Sequence, residues 1–291
     1  MKISEILIDA FKYPIENAKA LMIYLLLLIA GGMGLFIIGI GIGIGNITES
    51  PIIAAIIAII GFIEFIIMLL LMEGYVLDVV KIGIYRENKS PEIDFSRQIL
   101  NGLKLLVLAL IYVGISIIII AILVNIHPYL IILGILIYVV AIFSFIMAQC
   151  KLAKTDSLTE ALNIDVAIKD ISKIGILKVV AIVVIFSVIS YALTAVTNII
   201  QQYSTIVSLL LAMIFTIYLG FAQSRGYGLL YSHIEENEGE TVENSKKDEK
   251  RHNGSPWLWS HPEHRSQLQK TCQKYKKRIK KKSLMNLKNK D

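Results

Sequence analysis

IIAAIIAIIGFIEFIIMLLLM, residues Ile52–Met72, carries one charged side chain, Glu64, and is apolar on every other side of any helix drawn through it. A bilayer core of about 30 Å is crossed by about 20 apolar residues in helical conformation. Working outward, comparable runs cover Ala20–Gly45, Leu103–Val124, Tyr129–Gln149, Ile174–Asn198 and the shorter Ile206–Ala222. A soluble domain has no means of covering so much apolar surface. Isoleucine is abundant and β-branched, which raises the possibility of strands. Membrane strands, however, alternate in polarity, and these runs do not. Inside lipid every backbone amide needs an internal partner, which leaves the helix. The expected fold is all-α: a polytopic membrane protein of six transmembrane helices in three hairpins, with short cytoplasmic amphipathic helices.

The charges give these spans a direction. Before residue 246 the Lys and Arg residues fall into four groups. Lys2, Lys12 and Lys19 precede the first span. Lys81, Arg86, Lys89, Arg97 and Lys104 lie between or beside spans two and three. Lys151, Lys154, Lys169, Lys173 and Lys178 do the same for spans four and five, and Arg225 follows the last. The gaps at Asn46–Pro51, Asn125–Pro128 and Ile199–Thr205 hold none. Basic loops stay on the cytoplasmic side, so both termini are expected there, in the cell membrane.

The formal net charge of +6 conceals an uneven distribution. Residues 246–291 hold 15 Lys and Arg against 4 Asp and Glu, while the rest of the chain holds 14 against 19. The sequence therefore divides into a transmembrane domain, 1–234, and a charged cytoplasmic tail, 235–291, too poor in apolar residues to build a core and expected to be disordered. Lys276, Lys277, Arg278, Lys280, Lys281 and Lys282 suit contact with anionic lipid headgroups, each worth about 1 kcal/mol near the surface; a solubilising tail with no partner is an equal reading and nucleic-acid contact a weaker one. Trp257 and Trp259 could anchor at the interface. Cys150 and Cys272 make no disulfide framework and are expected as free thiols.

Three amphipathic stretches introduce the outward-going spans. Asp9 is followed by Lys19, Asp94 by Lys104 and, at a longer spacing, Asp165 by Lys178. Each stretch reads as an interfacial helix. Ser90-Pro91 is expected to open the second. Ser157 and Glu160 form a capping-box pattern for the third. In the first span, Gly39/Gly43 and Gly41/Gly45 are small-xxx-small pairs suited to close helix packing.

Motifs in these stretches carry a resemblance. Asp9-Ala10-Phe11-Lys12-Tyr13-Pro14 is followed by Glu73-Gly74-Tyr75, then Pro91, Asp94 and Asn101-Gly102-Leu103-Lys104, then Ala148-Gln149-Cys150-Lys151 and Asp156-Ser157-Leu158-Thr159-Glu160-Ala161. Their order and placement over residues 1–235 resemble an uncharacterised archaeal and bacterial multi-pass membrane family, the domain of unknown function numbered 4013. The resemblance marks Gly74, Tyr75, Pro91, Asp94, Gly102 and Lys104 as motif positions and implies location and topology, without an activity. Leu162 stands where an aromatic residue is expected in the last motif.

Chemistry is sparse. Glu64 is a carboxyl deep inside a span, where such groups face a cavity or a partner. It is either a proton- or cation-coupling group or a protonated acid bonded to a neighbouring helix, with Ser116, Ser144, Ser187 and Tyr191 as candidate partners. His261-Pro262-Glu263-His264 lacks the paired spacing of a zinc site. No serine elbow or HExxH pattern occurs. The sequence points to a non-catalytic membrane component that needs no metal or cofactor and that organises lipids or other membrane proteins. The alternative is a small-solute or ion permease using Glu64.

Overall fold

The structure, a computed structural model, describes the backbone of residues 1–253 and the side chains of residues 1–234. The described residues are predominantly helical, with no strand among them. The helices are α1 (Ile3–Glu16), α2 (Ala18–Thr48), α3 (Pro51–Ile84), α4 (Phe95–Ala109), α5 (Ile115–Ile126), α6 (Ile131–Thr155), α7 (Leu158–Ala161), α8 (Ile164–Ile174), α9 (Ile176–Gln201) and α10 (Thr205–Asn253). A π-helical turn, Leu110–Gly114, joins α4 to α5 without a break, so the two form one membrane-length helix, Phe95–Ile126. Among the described residues six helices are long and apolar enough to cross a membrane, the last over Thr205–Ile234.

Residues Met1–Glu235 form one compact unit. Of the tail, 235–291, helical backbone is described to Asn253. The expectations for Trp257, Trp259, Cys272 and the basic run Lys276–Lys282 lie outside the described residues.

The helices begin where local chemistry starts them. Ser50 precedes Pro51 at the first position of α3, where the missing amide proton costs nothing. Asp94 caps α4 by accepting from the Arg97 amide at 3.1 Å. Ser157 caps α7 through the Glu160 amide, and Asn163 caps α8 through that of Val166.

Most spans outrun their apolar cores at the end that holds α1. α3 continues past Met72 to Ile84, α6 past Gln149 to Thr155, and the apolar part of α10 past Ala222 to Ile234. Hydropathy falls there because polar side chains enter, but those side chains pair with each other and the helices persist. The second introduction also departs from expectation. Ser90-Pro91 opens no helix: Ser90–Asp94 has no regular secondary structure, Asp94 itself is extended, and α4 begins at Phe95. The three introductions are thus one helix (α1), an irregular strap and two short helices (α7, α8), three different structures rather than a structural repeat.

α3 is the central helix, and it meets three neighbours at three glycines. A Cβ on Gly61 would press on the Gly34 carbonyl of α2 at 2.6 Å. One on Gly74 would overlap the Gln98 backbone of α4, and one on Gly83 would come within 3.0 Å of Gly228 in α10. Backbones this close leave no room for a side chain.

Candidate functional site

The polar side chains converge at the α1 end of the bundle, here called the base. Its first element is the α3–α4 crossing. Gly74 admits the Gln98 backbone, and Gly102 reciprocates by admitting the Leu70 carbonyl. This approach brings Asp78, 5% exposed, against Arg97 and Gln98. Both Asp78 oxygens accept from the Arg97 guanidinium, one of them at 2.9 Å. Gln98, fully buried, donates to the same carboxylate at 2.9 Å and to the Glu92 carbonyl at 3.1 Å. The buried charge is therefore paired and hydrogen-bonded, as a low-dielectric site demands.

The second element is Arg225, 2% exposed on α10. It donates to Asp9 of α1 at 2.8 Å and to the carbonyls of Ile82 and Glu87. Its guanidinium carbon lies 5.0 Å from the centre of the Tyr13 ring. The strap after α3 is tied down around it. Tyr13 donates to the Lys89 carbonyl at 2.8 Å, Asn17 donates to Asn88 at 2.9 Å, and Asn88 donates to Glu16. Burial pushes the Tyr13 phenol up to about 12, against the opposing effect of Arg225. Hydrogen bonds from Lys12 and then Asn88 hold the Glu16 carboxyl below its ordinary value.

A third element forms where α6 ends. Asp156 adopts a left-handed conformation, φ 53°, and closes the helix. Its side chain accepts from Lys81 at 2.9 Å and its carbonyl from Lys104 at 3.0 Å. Beside it, Tyr112 donates to the Ala161 carbonyl and Tyr231 donates to Asp170 at 2.7 Å. The Cys150 thiol is buried against the Tyr227 carbonyl.

The motif positions thus meet at the base. Gly74, Gly102, Asp94 and Lys104 have the contacts just given, and Pro91 is buried in the strap. Tyr75 is fully buried between Tyr24 and Phe221, at centroid distances of 6.4 and 6.1 Å. Asp78, Gln98 and Arg225 belong to none of the sequence motifs, yet they hold the base together. Their signal was present: an Asp, a Gln and an Arg on helices that otherwise run into apolar spans.

Glu64 lies apart from the base, over Gly34 at the α2–α3 crossing; its Oε2 is buried and has no hydrogen-bond partner in the described structure. Of its candidate partners, Ser116 and Ser187 donate to their own helices and Tyr191 is 77% exposed. Gly41 and Gly45 face Ala54, Ile57 and Ala58 of α3, while Gly39 and Gly43 have open space beside them. A groove of about 330 Å³ runs between α9 and α10, lined in part by Ser190, Thr194, Thr216 and Gln223. Among the described residues no three His, Cys, Asp or Glu side chains are grouped to hold a metal ion.

The arrangement ties helix ends together; its charged groups are turned toward each other. No curated protein and no solved structure matches the chain. A family profile does, over residues 57–222, more than half of the sequence, a stretch that takes in the α3–α4 crossing and the Asp156 junction. The chain belongs to the family described as protein of unknown function DUF4013.

Proposed function

We propose that this protein is a non-catalytic, multi-pass component of the cell membrane that organises lipids or partner proteins, with the base and both termini on the cytoplasmic side. One observation carries the reading. The buried charges of the base are committed to holding α1, α3, α4, α10 and the strap together, through Asp78–Arg97 and Asp9–Arg225. Beyond the base the helices present large aliphatic side chains outward, as a lipid-facing surface does. The alternating distribution of Lys and Arg supports the orientation. The basic tail adds a salt-sensitive attraction to anionic headgroups on the same side. Neither an enzyme activity nor a bound cofactor belongs to this reading.

The permease alternative has its own support in the unpartnered Glu64 oxygen and the part-polar α9–α10 groove. Purified protein in sealed proteoliposomes separates the two. The preferred reading predicts proton and alkali-cation leak equal to that of protein-free vesicles. Flux that depends on the protein and is abolished by Glu64→Gln would transfer the function to the alternative.

A further inference from the structure

α8 and the turn that follows it have a construction that the base does not use. Around the helix, residues repeat about every 100°. Ala167, Asp170 and Ile174 are buried against the bundle. About a quarter turn away, Ile164 and Ile168 are 52% and 45% exposed. The third flank holds Asp165, Lys169 and Ser172, all exposed. A surface helix in water needs two faces, one buried and one polar; a second, uncovered aliphatic stripe between them suits a helix lying in the plane of a bilayer.

The chain runs from this helix directly into a membrane-length one. Gly175, at φ +99°, makes the elbow between α8 and α9, a conformation open to glycine and strained for other residues. Directly after it, Ile176 and Leu177 are 60% and 85% exposed at the start of a membrane-length helix. Lysines stand on both sides of the elbow: Lys169 and Lys173 before it, Lys178 after it. The acid among them, Asp170, is engaged internally, accepting from Tyr231 and facing Lys173 at 4.0 Å. Asp165 is exposed beside Lys169, and against this one acid Lys169 and Lys178 leave a net positive charge around the elbow.

α1 provides an internal contrast. It too has three flanks: Ile6, Ala10 and Tyr13 buried, Ile8 and Ile15 exposed, and Glu5, Lys12 and Glu16 exposed. Its charged flank carries two acids, and Lys12 is bound to Glu16 at 2.7 Å. It has the form of an in-plane helix without an excess of positive charge.

We propose that α8 lies in the membrane plane and that its elbow seats an anionic phospholipid, with Ile164, Ile168 and Leu177 among the acyl chains and Lys169 and Lys178 on the headgroup phosphate. The assignment does not depend on which side of the membrane the base occupies, nor on the choice between component and permease.

Two measurements on the full chain test it. In nanodiscs of phosphatidylcholine, adding phosphatidylglycerol raises the thermal midpoint at low salt. The Lys169→Gln/Lys178→Gln protein loses much of that rise, whereas Lys12→Gln keeps it; the basic tail is common to all and cancels. An undiminished rise in the double variant overturns the headgroup contact. In a Cys272→Ser background, a fluorophore on Ile168→Cys is quenched by lipids brominated in their acyl chains, and one on Lys169→Cys much less. Equal quenching at the two positions overturns the in-plane placement.

Discussion

Between Pro51 and Leu69, α3 buries Gly61 alone, whereas from Leu70 to Ile84 most residues are buried. The outer part is the more apolar and the inner part the more packed. In lipid these are separate properties: apolar side chains secure the helix in the bilayer, yet gain little by touching one another rather than acyl chains. Packing specificity comes instead from glycine notches and paired polar groups, and those are concentrated in the inner part. The outer part of α3 sets where the helix sits, and the inner part sets what it sits against.

Substitutions that separate the two parts sharpen this contrast. Asp78→Ala has the largest effect. It removes the acceptor shared by the buried Gln98 and the half-exposed Arg97, and costs about 3 kcal/mol of unfolding free energy in micelles, the low end for a broken buried pair. An isosteric change at lipid-facing Ile59, 56% exposed, to Leu moves the same measurement by less than about 0.5 kcal/mol. Next comes Gly102→Ala, whose Cβ overlaps the Leu70 carbonyl of α3. Separating the two helices costs about 2 kcal/mol, within the range for overpacking.

Tyr13→Phe is smaller, about 1 kcal/mol for the bond to the Lys89 carbonyl. It has a pH signature with a definite sign. The Tyr13 phenol is raised from 10.0 to about 12 in the folded protein. The folded state therefore holds its proton more firmly than the unfolded state, and stability is lost as pH rises through that window. The Phe variant should show a shallower alkaline fall in a titration of the thermal midpoint. A small effect of opposite sign is expected at Gly39, with open space beside it. Gly39→Ala stabilises α2 by about 0.5–1 kcal/mol through lower backbone entropy in the unfolded chain. Gly45→Ala does not, because its Cβ would meet that of Ala54 at 2.3 Å.

The spans were legible in the sequence because hydropathy is loud: the runs around Ile52–Met72 and Tyr129–Gln149 lie within the observed helices. Their inner extensions were not, since Asp78, Lys81 and Arg225 lower the local hydropathy and resemble loop residues until their partners are known. The motif positions could be picked out, but their purpose could not. That Gly74 and Gly102 serve one crossing is a relation between two helices, and spacing within one helix does not encode it. The glycine periodicity of α2 was ambiguous for the same reason. Alternate glycines fall on different faces, and which face meets α3 is decided by α3. Ser90-Pro91 misled because a proline that fits the start of a helix fits an irregular strap equally well; Asp94, a good capping residue, was the better marker.

The account rests on apolar helices that separate two aqueous compartments, with the base in one of them. Single cysteines at Glu49, in the turn between α2 and α3, and at Lys89, in the strap, test it most directly in a Cys272→Ser background. A membrane-impermeant maleimide added to intact cells should label the Glu49 position and spare that of Lys89, with the reverse in inverted vesicles. Labelling of both positions from the same side would contradict it.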